Sequence, residues 1–180
     1  RPKVLDTLDY KGVTICSYER AELVSRHLAT GRVHVLIVDE AHFLKTRTAQ
    51  RTRRILPLKG EALVSRADYA WFLSGTPAPN NPSEIWPVLR SCFPEVILDR
   101  HGRPMDYWGF ARRYCNVVNT GFGMKVNGGK RLDELRKRIA PVFLRRRVGE
   151  VLKDLPEMMW QDLPVSATVP AIDDAALAGR

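Results

Sequence analysis

The 180-residue sequence has too few cysteines for a disulfide framework: Cys16, Cys92 and Cys115 are odd in number and far apart. That pattern fits free thiols in a reducing compartment. Long apolar runs are missing too. None approaches the roughly 18 residues of a membrane-spanning helix, which excludes an integral helical membrane protein. The four histidines are scattered, and none stands at zinc-ligand spacing from a cysteine, which argues against a zinc site. Acidic residues run short in one place. Residues 100–153 hold 14 Lys/Arg against 4 Asp/Glu, whereas residues 1–99 hold 14 against 11 and residues 154–180 hold 1 against 5. The formal net charge of +9 is therefore concentrated between 100 and 153. Such an excess points to an acidic partner, nucleic acid first, with a solvated basic surface as the plainer reading. The chain starts at Arg1 without an initiating Met or a leader-like segment, so a fragment is expected.

What is present alternates between strand and helix patterns. Residues 13–17, rich in β-branched side chains, predict a short strand. Over 18–30, Ala21, Leu23, Val24 and Leu28 fall at helical spacing, and Gly31 supplies a stop. Residues 33–38 are nearly all apolar, which predicts a strand buried on both faces of a parallel sheet. A basic helix is predicted over 46–56, ending before Pro57. Residues 69–73 predict a second buried strand, followed at once by Ser74-Gly75-Thr76-Pro77. Asn81-Pro82-Ser83-Glu84 has the form of a helix start, with Asn as cap, Pro in the first turn and Glu at the capping-box position. That helix continues over 85–92, with Pro87 as a kink. This order predicts an α/β domain with a parallel sheet. Further on, six glycines between 102 and 129 surround one short predicted helix at 106–114. Those at 121, 123, 128 and 129 mark a flexible loop. Residues 131–152 turn helical again, interrupted at Pro141, and 164–180 read as a loosely ordered tail.

Asp39 and Glu40 directly follow the apolar run 33–38. In open α/β sheets, ligands bind beyond the carboxyl ends of the strands. Two adjacent carboxylates at a buried strand end call for a cation to share the site. The Mg²⁺ of a bound nucleotide meets that need, with the second acid free to orient and deprotonate a water. The plainer alternative is a pair of acids favoured by the N-terminus of the next helix.

The neighbouring residues extend the pattern. Asp39-Glu40-Ala41-His42 continues into Phe43-Leu44-Lys45. Leu73-Ser74-Gly75-Thr76-Pro77, with Asn80-Asn81, comes about 30 residues later. Upstream lies Thr14-Ile15-Cys16-Ser17-Tyr18-Glu19; downstream lie Phe143-Leu144-Arg145-Arg146, Val151-Leu152 and Leu155-Pro156. In this order the segments resemble motif II (DEAH form), motif III, motif Ib and the "LRR…vL…LP" stretch of superfamily-two helicases. They are most similar to the Swi/Snf-type DNA translocases. Tyr107 with Arg113-Tyr114-Cys115 is similar to the annealing-helicase branch or its bacterial and phage relatives.

The resemblance implies an α/β fold: a parallel-sheet P-loop NTPase (RecA-like) lobe, incomplete, with a C-terminal, mostly helical protrusion. Residues 1–98 would be the latter part of lobe one, 99–156 the basic protrusion, and 157–180 a linker or tail toward a second lobe. The implied cofactors are ATP and Mg²⁺. The implied partners are DNA, duplex or branched and contacted through its backbone, and a second RecA-like lobe of the same polypeptide, with no membrane. The compartment would be cytoplasm or nucleoid, or the nucleus in a eukaryote. Asp39 would position Mg²⁺ through water, Glu40 would activate the hydrolytic water, and His42 would couple the nucleotide to motif III or lobe two. Ser74, Gly75 and Thr76 would form the coupling motif. Ser17, Tyr18 and Lys45 would face DNA, and Arg145 and Arg146 would contact phosphate or protein. Two departures stand out. No G-x-x-x-x-G-K-[S/T] phosphate loop occurs in the chain, and Pro79 replaces a Gln common in motif III. The 180 residues alone are therefore expected not to turn over ATP. A non-catalytic basic DNA-binding or scaffold protein from the same lobe is the alternative, and the presence of both Asp39 and Glu40 favours the enzyme. A motor of a restriction or phage-defence system would use the same lobe.

Overall fold

Two parallel strands carry the motif-bearing loops. β1 (Val33–Val38) pairs with β2 (Ala67–Phe72), from Val33 opposite Ala67 to Val38 opposite Phe72. Parallel neighbours need a crossover; here it contains α2 (Gln50–Ile55). α1 (Ala21–His27) precedes β1 and is entered through a 3₁₀ turn, Tyr18–Arg20. The computed structural model describes residues 12–27, 32–58, 60–146, 148–151, 159, 161 and 162. By contacts the chain divides after Leu144, and the unit from Arg145 on contributes α6 (Val148–Val151) among the described residues. The predicted tail 164–180 lies outside them.

The sheet is covered on one face. Ala21 and Val24 of α1 and Ile55 of α2 pack with Val38, Leu36 and Phe72. The opposite face stays open: Ile37, Tyr69 and Trp71 are 54%, 59% and 57% exposed. The expectation of strands buried on both faces is thus corrected. Apolar composition permits burial, but burial requires a covering layer, and among the described residues α1 and α2 supply only one. Residues 13–17 are corrected as well. They pair with no strand among the described residues, and Val13 and Ile15 are each 92% exposed. β-branched residues suit a ladder but cannot replace the neighbouring strand that satisfies their backbone groups. α2 is also shorter than the predicted 46–56. It starts after an extended Ala49 and stops at an extended Leu56, as the residue before Pro57 requires.

A second core begins at the next cap. Asn81 Oδ1 accepts hydrogen bonds from the Ser83 N–H (3.1 Å) and hydroxyl (2.6 Å), starting a 3₁₀ turn, Pro82–Ile85, that leads into α3 (Trp86–Cys92). Glu84 does not close a capping box; its carboxylate takes the N–H of Asn80 instead, one residue earlier, at 3.0 Å. Pro87 occupies the first turn of α3, where no intrahelical N–H is needed, so the expected kink is absent. Asp106 caps α4 (Tyr107–Tyr114) by accepting the Gly109 N–H at 2.7 Å. Trp86 and Leu89 of α3 pack with Phe110 and Tyr114 of α4 and with Leu135 and Ile139 of α5 (Leu132–Ile139).

The glycine-rich stretch is ordered. β3 (Asn116–Asn119) and β4 (Met124–Asn127) form an antiparallel hairpin where a flexible loop was expected. After α5 the helix stops near Pro141, as predicted. Arg145 and Arg146 are exposed and precede α6 rather than continuing a helix; Arg147 lies outside the described residues.

Candidate functional site

The parallel ladder runs on beyond the strands and draws the two motif loops together. The Leu73 N–H donates to the Val38 carbonyl at 2.9 Å, and the Ala41 N–H donates to the Leu73 carbonyl at 2.8 Å. The chain must therefore turn sharply at Asp39-Glu40. It does so by placing Glu40 in the left-handed region, φ 47°, ψ 47°. For a non-glycine residue this costs on the order of 1–3 kcal/mol and persists only where neighbours over-determine it. Asp39 Oδ1 accepts the Glu40 N–H at 2.8 Å. The Tyr18 hydroxyl donates to the Asp39 carbonyl at 2.6 Å and approaches the Glu40 carbonyl at 3.3 Å. Burial first, then the charges of Asp39 and Glu40, push the Tyr18 phenol up to about 12, so it remains a donor at working pH. Phe43 packs edge-on against the Tyr18 ring, centroids 5.8 Å apart.

His42 bridges the two loops. Its Nδ1 lies 3.0 Å from Glu40 Oε2 and 3.3 Å from Ser74 Oγ. An ionised carboxylate only accepts, so the shorter contact requires the proton on Nδ1. Ser74 Oγ in turn accepts the Thr76 N–H at 3.2 Å. Backbone and side chains together thus join the Asp39–His42 loop to the Ser74–Thr76 loop. Gly75, between them, faces open space.

Asp39 and Glu40 are both solvent-exposed, which removes the desolvation cost expected at a buried strand end. Asp39 Oδ2 and Glu40 Oε1 accept no hydrogen bond among the described residues. Two hard oxygen donors, adjacent and open to water, suit Mg²⁺, which keeps several waters and takes one or two carboxylates plus phosphate oxygens. They do not build a protein cage. Among the described residues no three His, Cys, Asp or Glu side chains converge on one point.

The candidate DNA-facing residues have varied surroundings. Ser17 is exposed in extended backbone. Tyr18 directs its hydroxyl to the Asp39-Glu40 turn. Lys45 Nζ lies 3.6 Å from Glu84 Oε1. Glu84 also holds Asn80 through its N–H and side-chain amide, at 3.0 and 2.7 Å, so Lys45 and Asn80 share one carboxylate. Arg145 and Arg146 are exposed in their own unit. Sequence reading missed Tyr18 as a support of the Asp39-Glu40 turn and Glu84 as a partner of Asn80. No local pattern signals the Tyr18 contact, since it joins segments far apart in the chain.

Residues 3–166 match the SNF2-related domain. The mouse DNA annealing helicase and endonuclease ZRANB3 is 33% identical over 158 residues, which cover 86% of this chain and 14% of that protein. The human protein of the same name is 37% identical over 134 residues, 72% of this chain and 11% of that protein. A SWI/SNF-related matrix-associated actin-dependent regulator of chromatin subfamily A-like protein 1 homolog from Caenorhabditis elegans is 33% identical over 162 residues, 89% of this chain and 21% of that protein. The chain thus spans a small part of these relatives, and no solved structure matches it. With these likenesses, and with the Asp39–His42 and Ser74–Thr76 loops joined at the ends of two parallel strands, the chain belongs to the SNF2-related family of helicase-like ATPases, in its annealing-helicase-like branch.

Proposed function

We propose that this chain supplies motif II and motif III of an ATP-driven DNA translocase, in which nucleotide hydrolysis is coupled to movement along a DNA backbone. The observation that carries the reading is the contact of His42 with both Glu40 and Ser74, at 3.0 and 3.3 Å. Bound Mg²⁺ and ATP supply the charge-neutralised phosphoanhydride that is cleaved. Asp39 would hold the Mg²⁺, whose charge would offset that of the phosphates. Glu40 orients the attacking water and takes its proton. His42 fixes the Glu40 carboxylate and passes its position to Ser74 and Thr76. The relatives' names, a DNA annealing helicase and a regulator of chromatin, support DNA as the partner. So does the charge between 100 and 153, where 14 cations against 4 acids favour phosphate contacts that weaken with salt.

In this reading, residues 1–98 belong to a RecA-like lobe, 99–156 to a basic protrusion, and 157–180 lead toward a second lobe that contributes arginines to the transition state. DNA contact falls to Ser17 and to the exposed Arg145 and Arg146, with Lys45 joining once released from Glu84. The test is Glu40→Gln in the full-length polypeptide that carries these residues. DNA-stimulated ATPase falls roughly 100- to 10,000-fold, as expected for loss of a general base, while ATP binding persists. An unchanged rate overturns the reading. The isolated 180 residues are expected to show no ATPase above background.

A further inference from the structure

The β3–β4 hairpin carries an aromatic ring into solvent on a hydrogen-bonded mount. Phe122, at its tip, is fully exposed, at 104% relative accessibility. The tip is built rather than loose. The Thr120 N–H and hydroxyl both donate to the Gly123 carbonyl at 2.9 Å, and Asn119 Oδ1 accepts the Gly121 N–H at 3.0 Å. Gly121 (φ +82°) and Gly123 (φ +138°) flank the ring in conformations that side-chain-bearing residues rarely adopt, and they leave the space on either side of it empty. The foot of the hairpin is anchored in the second core. The Lys130 N–H donates to the carbonyl of buried Tyr114 at 2.9 Å, and Cys115, just before β3, is fully buried.

The charge carried by the hairpin and its foot, Lys125, Lys130 and Arg131, is of one sign. No Asp or Glu occurs between Asp106 and Asp133. Lys125 stands opposite Val118 on the hairpin, and Lys130 and Arg131 follow at its foot. All three are exposed, and none has a carboxylate partner among the described residues. An isolated flat apolar group beside uncompensated cations matches a ligand that pairs flat apolar faces with phosphates. In duplex DNA the base faces are already stacked on each other, so a lone ring gains little there. Unpaired bases leave those faces open.

We propose that this hairpin tip is a contact for unpaired nucleic-acid bases: Phe122 stacks on an exposed base of a single strand or fork while Lys125 meets the adjoining phosphate. This rests on the DNA-translocase reading and adds a substrate feature to it.

The experiment uses the full-length polypeptide and fluorescence anisotropy with two probes, a forked duplex with unpaired arms and a blunt duplex of equal phosphate number. Phe122→Ala is expected to weaken fork binding roughly 5- to 100-fold and to leave blunt-duplex binding unchanged, while Phe122→Trp retains fork binding. Lys125→Ala weakens both probes and lowers the salt slope by about 1. Phe122 touches no core, so an unchanged Tm certifies the fold. If Phe122→Ala weakens neither probe, or both equally, the hairpin proposal is overturned while the translocase reading stands. A wild-type protein that binds neither probe overturns both. Binding to anionic phospholipid vesicles that Phe122→Ala abolishes, without fork preference, assigns the ring to a lipid surface and also overturns it.

Discussion

The strand ends and the helical core are built on opposite terms. At the ends of β1 and β2 the Asp39 and Glu40 side chains are exposed, with His42 and Ser74 half-buried beside them; one residue sits in a strained conformation, and one face of the sheet is open. Around α3, α4 and α5 the side chains close on each other. Phe110 and Tyr114 are fully buried, and the Trp86 indole N–H donates to the Met105 carbonyl at 3.0 Å. Charges differ in the same way. Glu40 meets one histidine, whereas a single oxygen of Glu134 gathers Arg113 (2.6 Å), the Tyr114 hydroxyl (3.0 Å) and Arg138 (3.1 Å). The difference teaches that stability and reactivity are housed separately. The core supplies the fixed frame, and the strand ends keep acids open for a ligand.

Substitutions can break that contrast. The largest stability loss is expected from Phe110→Ala, about 3–5 kcal/mol by denaturant unfolding, because it empties a fully buried ring site. An equal loss from Ile37→Ala, on the open sheet face, would erase the distinction; that change is expected to stay within about 0.5 kcal/mol. Glu134→Ala comes next, at about 1–3 kcal/mol after allowing for partial exposure, since it strands two arginines and a tyrosine. Tyr18→Phe is smaller in stability, about 0.5–1.5 kcal/mol, yet it loosens the turn that aims Glu40. Its expected signature is a lowered kcat for DNA-stimulated ATP hydrolysis with unchanged DNA affinity, measured by steady-state kinetics and anisotropy.

A pH experiment sharpens the same comparison. Burial pushes the Glu134 carboxyl up, but the hydrogen bonds from Arg113 and Tyr114 and the charges of Arg113 and Arg138 outweigh it and hold it below the ordinary range. The cluster's contribution is therefore fully present above the unfolded pKa of about 4.3 and is lost as pH falls through the lower folded value. Glu134→Gln should flatten this acid limb of the stability curve. The smallest effect is chemical. Cys16 is exposed, Cys115 is fully buried, and burial pushes the Cys92 thiol up to about 12. A thiol reagent at neutral pH should label Cys16 well ahead of both, as mass spectrometry would read.

Much of the frame was legible in the residues. The apolar run 33–38 is β1, residues 67–72 include most of the second predicted strand, and Asn81 and the helix at 106–114 came out nearly as predicted. These features depend on local spacing and cap chemistry, which a sequence displays directly. The open sheet face was not legible, because an apolar residue does not state what will cover it. Nor was the support of Glu40 by Tyr18, across 22 positions, or of Glu134 by Arg113, across 21. The hairpin had a readable signal, Asn-Val-Val-Asn and Met-Lys-Val-Asn around Thr-Gly-Phe-Gly, but its glycines weighed as flexibility rather than as a turn.

The central claim is that His42 carries the state of Glu40 to Ser74. A double-mutant cycle on DNA-stimulated ATPase, with His42→Ala, Ser74→Ala and the pair in the full-length polypeptide, tests it most directly. The account predicts that the double variant is little slower than the worse single one, a coupling of about 0.5–3 kcal/mol. Losses that simply add would contradict it.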